Sequence, residues 1–157
     1  MTNHHVIDNS TEVRVIFEDG RMYEANIIGS DRLTDIGLVK IVASNLIPIS
    51  IGNSDKMLVG DLAVAIGHPL TLGAAPTVTT GVVSALERRL DVGGDLMGSS
   101  VTLFGLIQTD APITRGSSGG ALINKNGELI GITTAIATAD VGAEGLGFAV
   151  PINLALN

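Results

Sequence analysis

The sequence contains no cysteine and no tryptophan, and aromatic residues make up only 3% of its 157 positions. The absence of cysteine excludes disulfides, thiol nucleophiles and zinc–thiolate centres together. Basic residues are also scarce, with 9 Lys and Arg against 16 Asp and Glu and a formal net charge of -7. Because nucleic acids and anionic membrane surfaces attract clustered Lys and Arg, this balance argues against both as partners.

Long apolar runs are missing as well, although 45% of the residues are hydrophobic. No stretch approaches the roughly 18 uninterrupted apolar residues of a membrane-spanning helix. The most apolar region, 59–83, is interrupted by Asp61, His68 and Pro69. No basic segment followed by an apolar core opens the chain, so no secretory signal peptide is predicted. The sequence therefore predicts a globular protein without a membrane span.

Short apolar runs bounded by turn residues dominate the chain, and helical periodicity is scarce. In EVRVIFEDG, the side chains of Val13, Val15 and Phe17 fall on one face before an Asp-Gly turn, which is typical of a strand entering a hairpin. Further runs of this kind are found at 21–29, 36–41, 62–67, 77–86, 103–109, 120–124, 128–137 and 145–150. This pattern predicts an all-β barrel or sandwich. A short helix is expected after Pro151.

Two stretches do not fit a strand and are predicted to be long loops. The first is HPLTLGAAP at 68–76, and the second is ERRLDVGGDLMGSS at 87–100. Long loops on a compact domain are usually functional or mobile. A boundary between two β subdomains is expected in this part of the chain.

The segment ITRGSSGGAL at 113–122 is the candidate for nucleophilic chemistry. Ser118 is surrounded by glycines, whose lack of side chains allows backbone amides to approach a developing oxyanion. A flexible linker is the alternative interpretation. However, an alternating pattern around an Asn-Gly turn follows directly at 121–136, so the glycines favour a loop of fixed shape.

A serine nucleophile needs a base to take its proton and a third group to orient that base. The sequence offers three histidines, His4, His5 and His68, and one carboxylate directly before a strongly apolar strand, Asp35. From the residues alone each is ambiguous, because a histidine at a strand end is more often a surface residue and an acid before a strand is usually a turn residue. Asp110 is likewise more consistent with a structural role.

Three segments resemble the His, Asp and Ser segments of the HtrA/Deg family of trypsin-like serine proteases. They are TNHHVID at 2–8, TDIGLVKI at 34–41 and IQTDAPITRGSSGGALINKNGELIGITTAIA at 107–137. The intervening segments resemble the family too, so the similarity covers nearly the whole chain. It implies an all-β, chymotrypsin-like double Greek-key barrel, with a partial first barrel at approximately 1–75 and a second barrel at 76–157.

The resemblance also implies catalytic roles for individual residues. His5 is the general base, Asp35 orients it, and Ser118 attacks the scissile carbonyl. The backbone amides of Gly116 and Ser118 form the oxyanion hole, in which one donor typically contributes about 2.7–4 kcal/mol to transition-state stabilisation. Ser117 is a supporting residue, and neither a cofactor nor a metal ion is implied.

Substrate-binding residues follow from the same resemblance. Pro112 lies six residues before the nucleophile, at the base of the primary pocket, where an uncharged residue favours a small aliphatic side chain on the substrate. The stretch 133–137 is expected to offer an edge strand to an extended peptide, which adds by main-chain hydrogen bonds. The complete set of expected substrate-binding residues is Pro112, Arg115, Ile132, Thr133, Thr134, Ala135 and Ile136.

The function implied by the resemblance is that of a serine endopeptidase that degrades misfolded or unfolded polypeptides through an acyl-enzyme intermediate. Protein quality control, stress response, a periplasmic or cell-envelope location and a homotrimer are implied with it. The family has further strands before the histidine segment and commonly has PDZ domains after the last helix, so this chain is expected to be a fragment with an incomplete first barrel. The alternative is a non-catalytic, peptide-binding or chaperone-like fragment with a misassembled triad.

Overall fold

A computed structural model of the protein describes residues 1–69, 75–92, 101–134 and 145–157. In chain order, its elements are helix α1 (His4–Ile7), strands β1 (Val13–Ile16), β2 (Met22–Asp31) and β3 (Ile36–Lys40), a 3₁₀ turn (Ser54–Lys56), strands β4 (Leu62–Gly67), β5 (Thr77–Val92), β6 (Val101–Thr109), β7 (Ala121–Ile123), β8 (Leu129–Thr134) and β9 (Gly147–Pro151), and helix α2 (Ile152–Ala155). Strands therefore predominate among the described residues, and the all-β prediction is confirmed. The short helix expected after Pro151 is α2.

The strands form two sheets of different kinds. Strands β1, β2 and β3 make an open sheet in chain order, whereas β4 to β9 make a closed barrel in the order β4-β5-β6-β9-β8-β7. Neighbouring strands are antiparallel throughout. The closed barrel contains β4 and so begins before residue 76, while a division into two domains near residue 75 stays a prediction. Among the described residues, the helices are too short to cross a membrane.

The predicted hairpin between β1 and β2 is present. The backbone amide of Phe17 donates to the carbonyl of Arg21 over 2.9 Å, and the amide of Gly20 donates back to the carbonyl of Phe17. The Phe17 ring meets the Tyr23 ring edge to face, with centroids 5.7 Å apart, a favoured arrangement for aromatic pairs. These contacts fix the register between β1 and β2 next to the hairpin turn.

The barrel interior holds the main hydrophobic core, to which all six strands of the barrel contribute. Its fully buried members include Ala63, Val83, Ile107, Leu122 and Ile130. Two further clusters surround it, one made by Val92, Leu103, Leu106, Phe148 and Val150 and one made by Leu129, Ile132 and Ile152. Ile36 at the start of β3 packs against both of these clusters, and it thereby joins the open sheet to the barrel.

The prediction of a loop at 87–100 is wrong for its first part, residues 87–92. Strand β5 continues to Val92 and pairs with β6, with register shifts between Ala85 and Arg88 and between Arg88 and Leu90. Outward-facing polar side chains gave this segment its loop-like composition, but its inward-facing apolar residues pack in the second cluster. Residues 93–100, and residues 70–74 of the other predicted loop, lie outside the described part of the chain.

Removing side-chain atoms from the barrel core should destabilise the protein strongly. Ile130 is fully buried, whereas Ile47 is 97% exposed. We expect Ile130→Ala to lower the free energy of unfolding by about 2–5 kcal/mol, since it removes buried methylenes and leaves a cavity. The same change at Ile47 should alter it by less than about 0.5 kcal/mol. Urea unfolding checks both variants, and equal effects would contradict the assignment of Ile130 to the core.

Candidate active site

His5 and Asp35 form a close pair at the junction of α1 and the turn between β2 and β3. The imidazole Nδ1 of His5 lies 2.9 Å from Oδ2 of Asp35 and 3.0 Å from Oδ1. The Asp35 side chain is fully buried, and that of His5 is 14% exposed. Because an ionised carboxylate only accepts hydrogen bonds, Nδ1 carries the proton and Nε2 is the basic nitrogen of the neutral ring.

Two further donors hold the Asp35 carboxylate. The backbone amide of His5 donates to Oδ1 over 3.1 Å, and the hydroxyl of Thr134 donates to Oδ2 over 3.3 Å. A buried carboxylate is costly unless its oxygens are paired and hydrogen-bonded, and these donors meet that requirement. Thr134 was expected among the substrate-binding residues, but the structure buries it and directs its hydroxyl to Asp35.

Asp31 shapes the turn that delivers Asp35. Its carboxylate accepts hydrogen bonds from the amides of Leu33 and Thr34 and, over 2.7 Å, from the Thr34 hydroxyl. The Thr34 hydroxyl is the main cause that lowers the pKa of Asp31, and the nearby His4 is a minor one. Asp35 follows directly with a φ of 57°, in the left-handed region that Asp adopts more readily than most residues.

The glycine-rich segment forms two consecutive turns. The amide of Ser117 donates to the carbonyl of Thr114 over 2.9 Å, and the amide of Gly120 donates to the carbonyl of Ser117 over 3.1 Å. The third residues of these turns, Gly116 and Gly119, have φ values of 91° and 81°. Type II turns require a positive φ at this position, so the glycines serve a defined backbone path.

Thr133 on β8 ties this loop to the barrel with three hydrogen bonds. Its carbonyl accepts from the amide of Gly119 and its amide donates to the carbonyl of Gly120, each over 2.9 Å. Its hydroxyl donates to the carbonyl of Ser117 over 2.6 Å. Both main-chain groups of Thr133 are therefore used within the protein, so this residue does not offer them to a peptide.

These contacts bring the loop of Ser118 to the His5–Asp35 pair by two routes. Thr133 holds the loop, and the next residue, Thr134, donates to Asp35. In addition, a Cβ atom on Gly119 would collide with the side chain of Thr2, which shows how closely the histidine segment approaches the loop. Three segments that are far apart in the sequence are thus packed against one another.

The other expected substrate-binding residues are dispersed around the loop. Pro112 is exposed, and its carbonyl accepts a hydrogen bond from the Thr79 hydroxyl over 2.8 Å. Arg115 is exposed at the tip of the first turn. A cavity of about 160 Å³ lies beside the loop, lined in part by Pro112, Thr133 and Gly67. None of these three residues carries a charge.

Ile132 does not line this cavity. It is buried at 3% exposure and packs with Leu129 and Ile152. Successive side chains of a strand point to opposite faces, so Ile132 faces the cluster of Leu129 and Ile152 while Thr133 faces the loop. Ala135 and Ile136 lie outside the described residues.

The sequence interpretation missed the roles of Asp31, Thr133 and Thr2. An acid followed three residues later by threonine, as in DRLT at 31–34, is a pattern typical of side-chain-stabilised turns, and could have indicated Asp31. Thr133 and Thr2 act through long-range contacts, and no local pattern indicates such partners.

Residues 1–132 match the family of the trypsin-like peptidase domain. The periplasmic serine endoprotease DegP of Escherichia coli K12 is 49% identical over 158 residues, covering 100% of this chain and 31% of that protein. The chain belongs to the HtrA/Deg family of trypsin-like serine proteases. The pH-dependent periplasmic endoprotease DegQ of the same organism is 50% identical over 156 residues, covering 99% of this chain and 32% of DegQ.

Solved HtrA structures agree with this family and with a chymotrypsin-like fold. The HtrA-type protease AlgW with a decapeptide superposes with a TM-score of 0.85 at 42% identity, covering 99% of this chain and 45% of that one. A serine endoprotease from Yersinia pestis gives a TM-score of 0.78 at 41% identity, covering 99% of this chain and 50% of that one. The predicted family and fold class are confirmed. The chain spans about a third of the length of the curated HtrA/Deg relatives it matches.

The turn before Asp35 yields a prediction about stability. Asp31→Ala removes every acceptor of the turn, and we expect it to lower the free energy of unfolding by about 1 kcal/mol at neutral pH. Asp31→Asn keeps one accepting oxygen and should cost less. Urea unfolding measures both changes, and an Asp31→Ala protein as stable as the wild type would contradict the role of the turn.

The charge of Asp31 makes part of this stabilisation pH-dependent. Its pKa is lowered in the folded protein, so the contribution of the charged form is present above the ordinary unfolded value of about 3.9 and is lost as the pH falls through the lower folded value. The stability difference between wild type and Asp31→Asn should therefore shrink in acid. A difference that grows as the pH falls would contradict this sign.

Proposed function

We propose that this chain is the protease domain of an HtrA-type serine endopeptidase that cleaves unfolded polypeptides. The observation that carries the proposal is the contact of 2.9 Å between Nδ1 of His5 and the buried carboxylate of Asp35. This contact fixes the ring and leaves Nε2 as a base. Membership of the family supports Ser118, in the adjoining loop, as the nucleophile.

In the proposed reaction, Nε2 of His5 takes the proton of the Ser118 hydroxyl while Oγ attacks the scissile carbonyl carbon. Asp35 stabilises the imidazolium that forms and keeps its proton on Nδ1. The imidazolium then protonates the leaving amine as the peptide bond breaks, which gives an acyl-enzyme on Ser118. A water molecule, deprotonated by the same imidazole, hydrolyses the ester and restores the serine.

The oxyanion of each tetrahedral intermediate is proposed to bind the amides of Gly116 and Ser118. The two turns of the loop use the amides of Ser117 and Gly120 for their own hydrogen bonds, so these two amides are not part of the proposed pair. Fixed donors of this kind stabilise the transition state without reorganisation during the reaction.

Substrate selection is proposed to rest on an uncharged pocket and an extended peptide. Pro112 and Thr133, which line the cavity beside the loop, carry no charge, and the exposed Arg115 of the same loop is expected to repel a basic side chain. Extended binding by main-chain hydrogen bonds requires an unfolded segment, which supports misfolded proteins as substrates. The names of the relatives support a periplasmic location, and a role in protein quality control and stress and assembly into a homotrimer remain further proposals.

Labelling with a fluorophosphonate probe tests the nucleophile. We expect the wild type to be labelled at Ser118 and the Ser118→Ala variant to remain unlabelled, because the probe reacts only with an activated serine. Ser117→Ala is the matched control and should still be labelled. Mass spectrometry locates the adduct. A well-folded wild type that is not labelled would favour the non-catalytic peptide-binding alternative.

Peptide substrates test the pocket. We expect a chromogenic peptide with Val before the scissile bond to be cleaved at least about tenfold more efficiently than the same peptide with Lys, since a buried unpaired charge is costly. The ratio of the two kcat/KM values measures this preference. A faster reaction with Lys would contradict an uncharged pocket, and an equal rate for native and unfolded forms of one protein would contradict selection of extended segments.

A further inference from the structure

We infer that Asn3 is a positioning residue for catalysis, which holds Asp35 in place through a hydrogen bond to its backbone. The side-chain nitrogen Nδ2 of Asn3 donates to the carbonyl oxygen of Asp35 over 3.0 Å. Asn3 is fully buried, so water does not compete for this contact. The inference rests on the proposed function, because the position of Asp35 matters for the rate only if Asp35 serves the triad.

The backbone of Asp35 is in a conformation that needs external support. Its φ of 57° is uncommon for residues other than glycine, and such conformations persist where surrounding contacts determine them. Two donors meet at the Asp35 carbonyl, namely Nδ2 of Asn3 and, over 3.1 Å, the backbone amide of His4. Together they fix the peptide plane that follows Asp35.

The peptide plane determines where the carboxylate lies. Aspartate has only two side-chain torsions, so its carboxylate closely follows the direction of the Cα–Cβ bond. This carboxylate must accept from both the amide and the imidazole Nδ1 of His5. A change in the backbone of Asp35 would therefore move the acceptor away from the ring that it orients.

The two polar atoms of the Asn3 side chain differ in their hydrogen bonding, because within the described part of the chain Nδ2 has a partner and Oδ1 does not. Among the residues that the structure describes, its oxygen Oδ1 has no hydrogen-bond partner, although it is buried. A buried acceptor without a donor is unfavourable, and an apolar side chain of similar size would fill the space without that cost. Only the nitrogen end can pair with a carbonyl, so its bond to Asp35 gives the amide a function that packing does not.

His5 and Thr134 act on Asp35 in a different way. They donate to the carboxylate oxygens themselves, whereas Asn3 acts on the main chain of the same residue. Replacing Asn3 should therefore leave the substrate-binding residues unchanged and alter the chemical step. The expected kinetic effect is a lower kcat with a nearly unchanged KM.

The experiment compares Asn3→Ala and Asn3→Asp with wild type, using an activated peptide ester that keeps slow variants measurable. We expect kcat to fall by about 10- to 100-fold, as small misplacements of catalytic groups can do, with KM within about twofold of wild type. Asn3→Asp should be at least as slow as Asn3→Ala, because it points an acceptor at the Asp35 carbonyl. Asn26→Asp, the same change at an exposed position on β2, is the control and should retain the wild-type kcat.

A second set of variants separates positioning from general damage. In an Asp35→Asn background, replacing Asn3 should change kcat by less than about threefold, because the two residues act as one unit. An equal loss in both backgrounds would overturn the inference, as would a wild-type kcat in folded Asn3→Ala. If circular dichroism shows that Asn3→Ala is unfolded, Asn3→Ser, which keeps a donor hydroxyl, replaces it in the comparison of the two backgrounds. Failure of wild type to react with the fluorophosphonate probe would instead overturn the proposed function.

Discussion

The site depends on one buried carboxylate, that of Asp35, whose oxygens accept hydrogen bonds from several donors. Asp35 is removed from water, and its carboxylate is compensated by the amide and ring of His5 and by the Thr134 hydroxyl. Removing such a charge from water is unfavourable without these partners. The donors come from the histidine segment and from the barrel, so the folded state must bring both to one point before the charge can be buried there.

Strand β8 carries much of that convergence. One of its residues, Thr133, holds the nucleophile loop with its amide, carbonyl and hydroxyl, and the next, Thr134, reaches Asp35. The alternation of a strand normally separates neighbouring side chains onto opposite faces. At the end of β8 the Thr133 hydroxyl meets the nucleophile loop and the Thr134 hydroxyl meets Asp35, so both faces contact part of the proposed catalytic machinery. Because these two residues are adjacent on β8, the strand sets the distance between the serine loop and the acid.

Local patterns predicted most strands and the hairpin at Phe17–Arg21, since alternation and turn residues depend on neighbouring positions. The extension of β5 through Glu87–Val92 was missed because polar residues face solvent there, while the pairing partner in β6 is distant in the sequence. Family resemblance paired His5 with Asp35, a contact that the structure contains. Neither pattern nor resemblance revealed that Thr134 turns inward to the acid, since that depends on how the sheets pack.

The packing of Ile36 has a consequence for the stability of the contact between the two sheets. This side chain, next to Asp35, packs against the cluster around Leu103 and also against the cluster around Leu129. Ile36 is half-buried, and separation of the two sheets would expose more of its apolar surface, which is unfavourable by about 25 cal/mol per Å². Through this side chain the open sheet and the barrel are coupled beside Asp35, so loosening of that contact would also disturb the position of the acid.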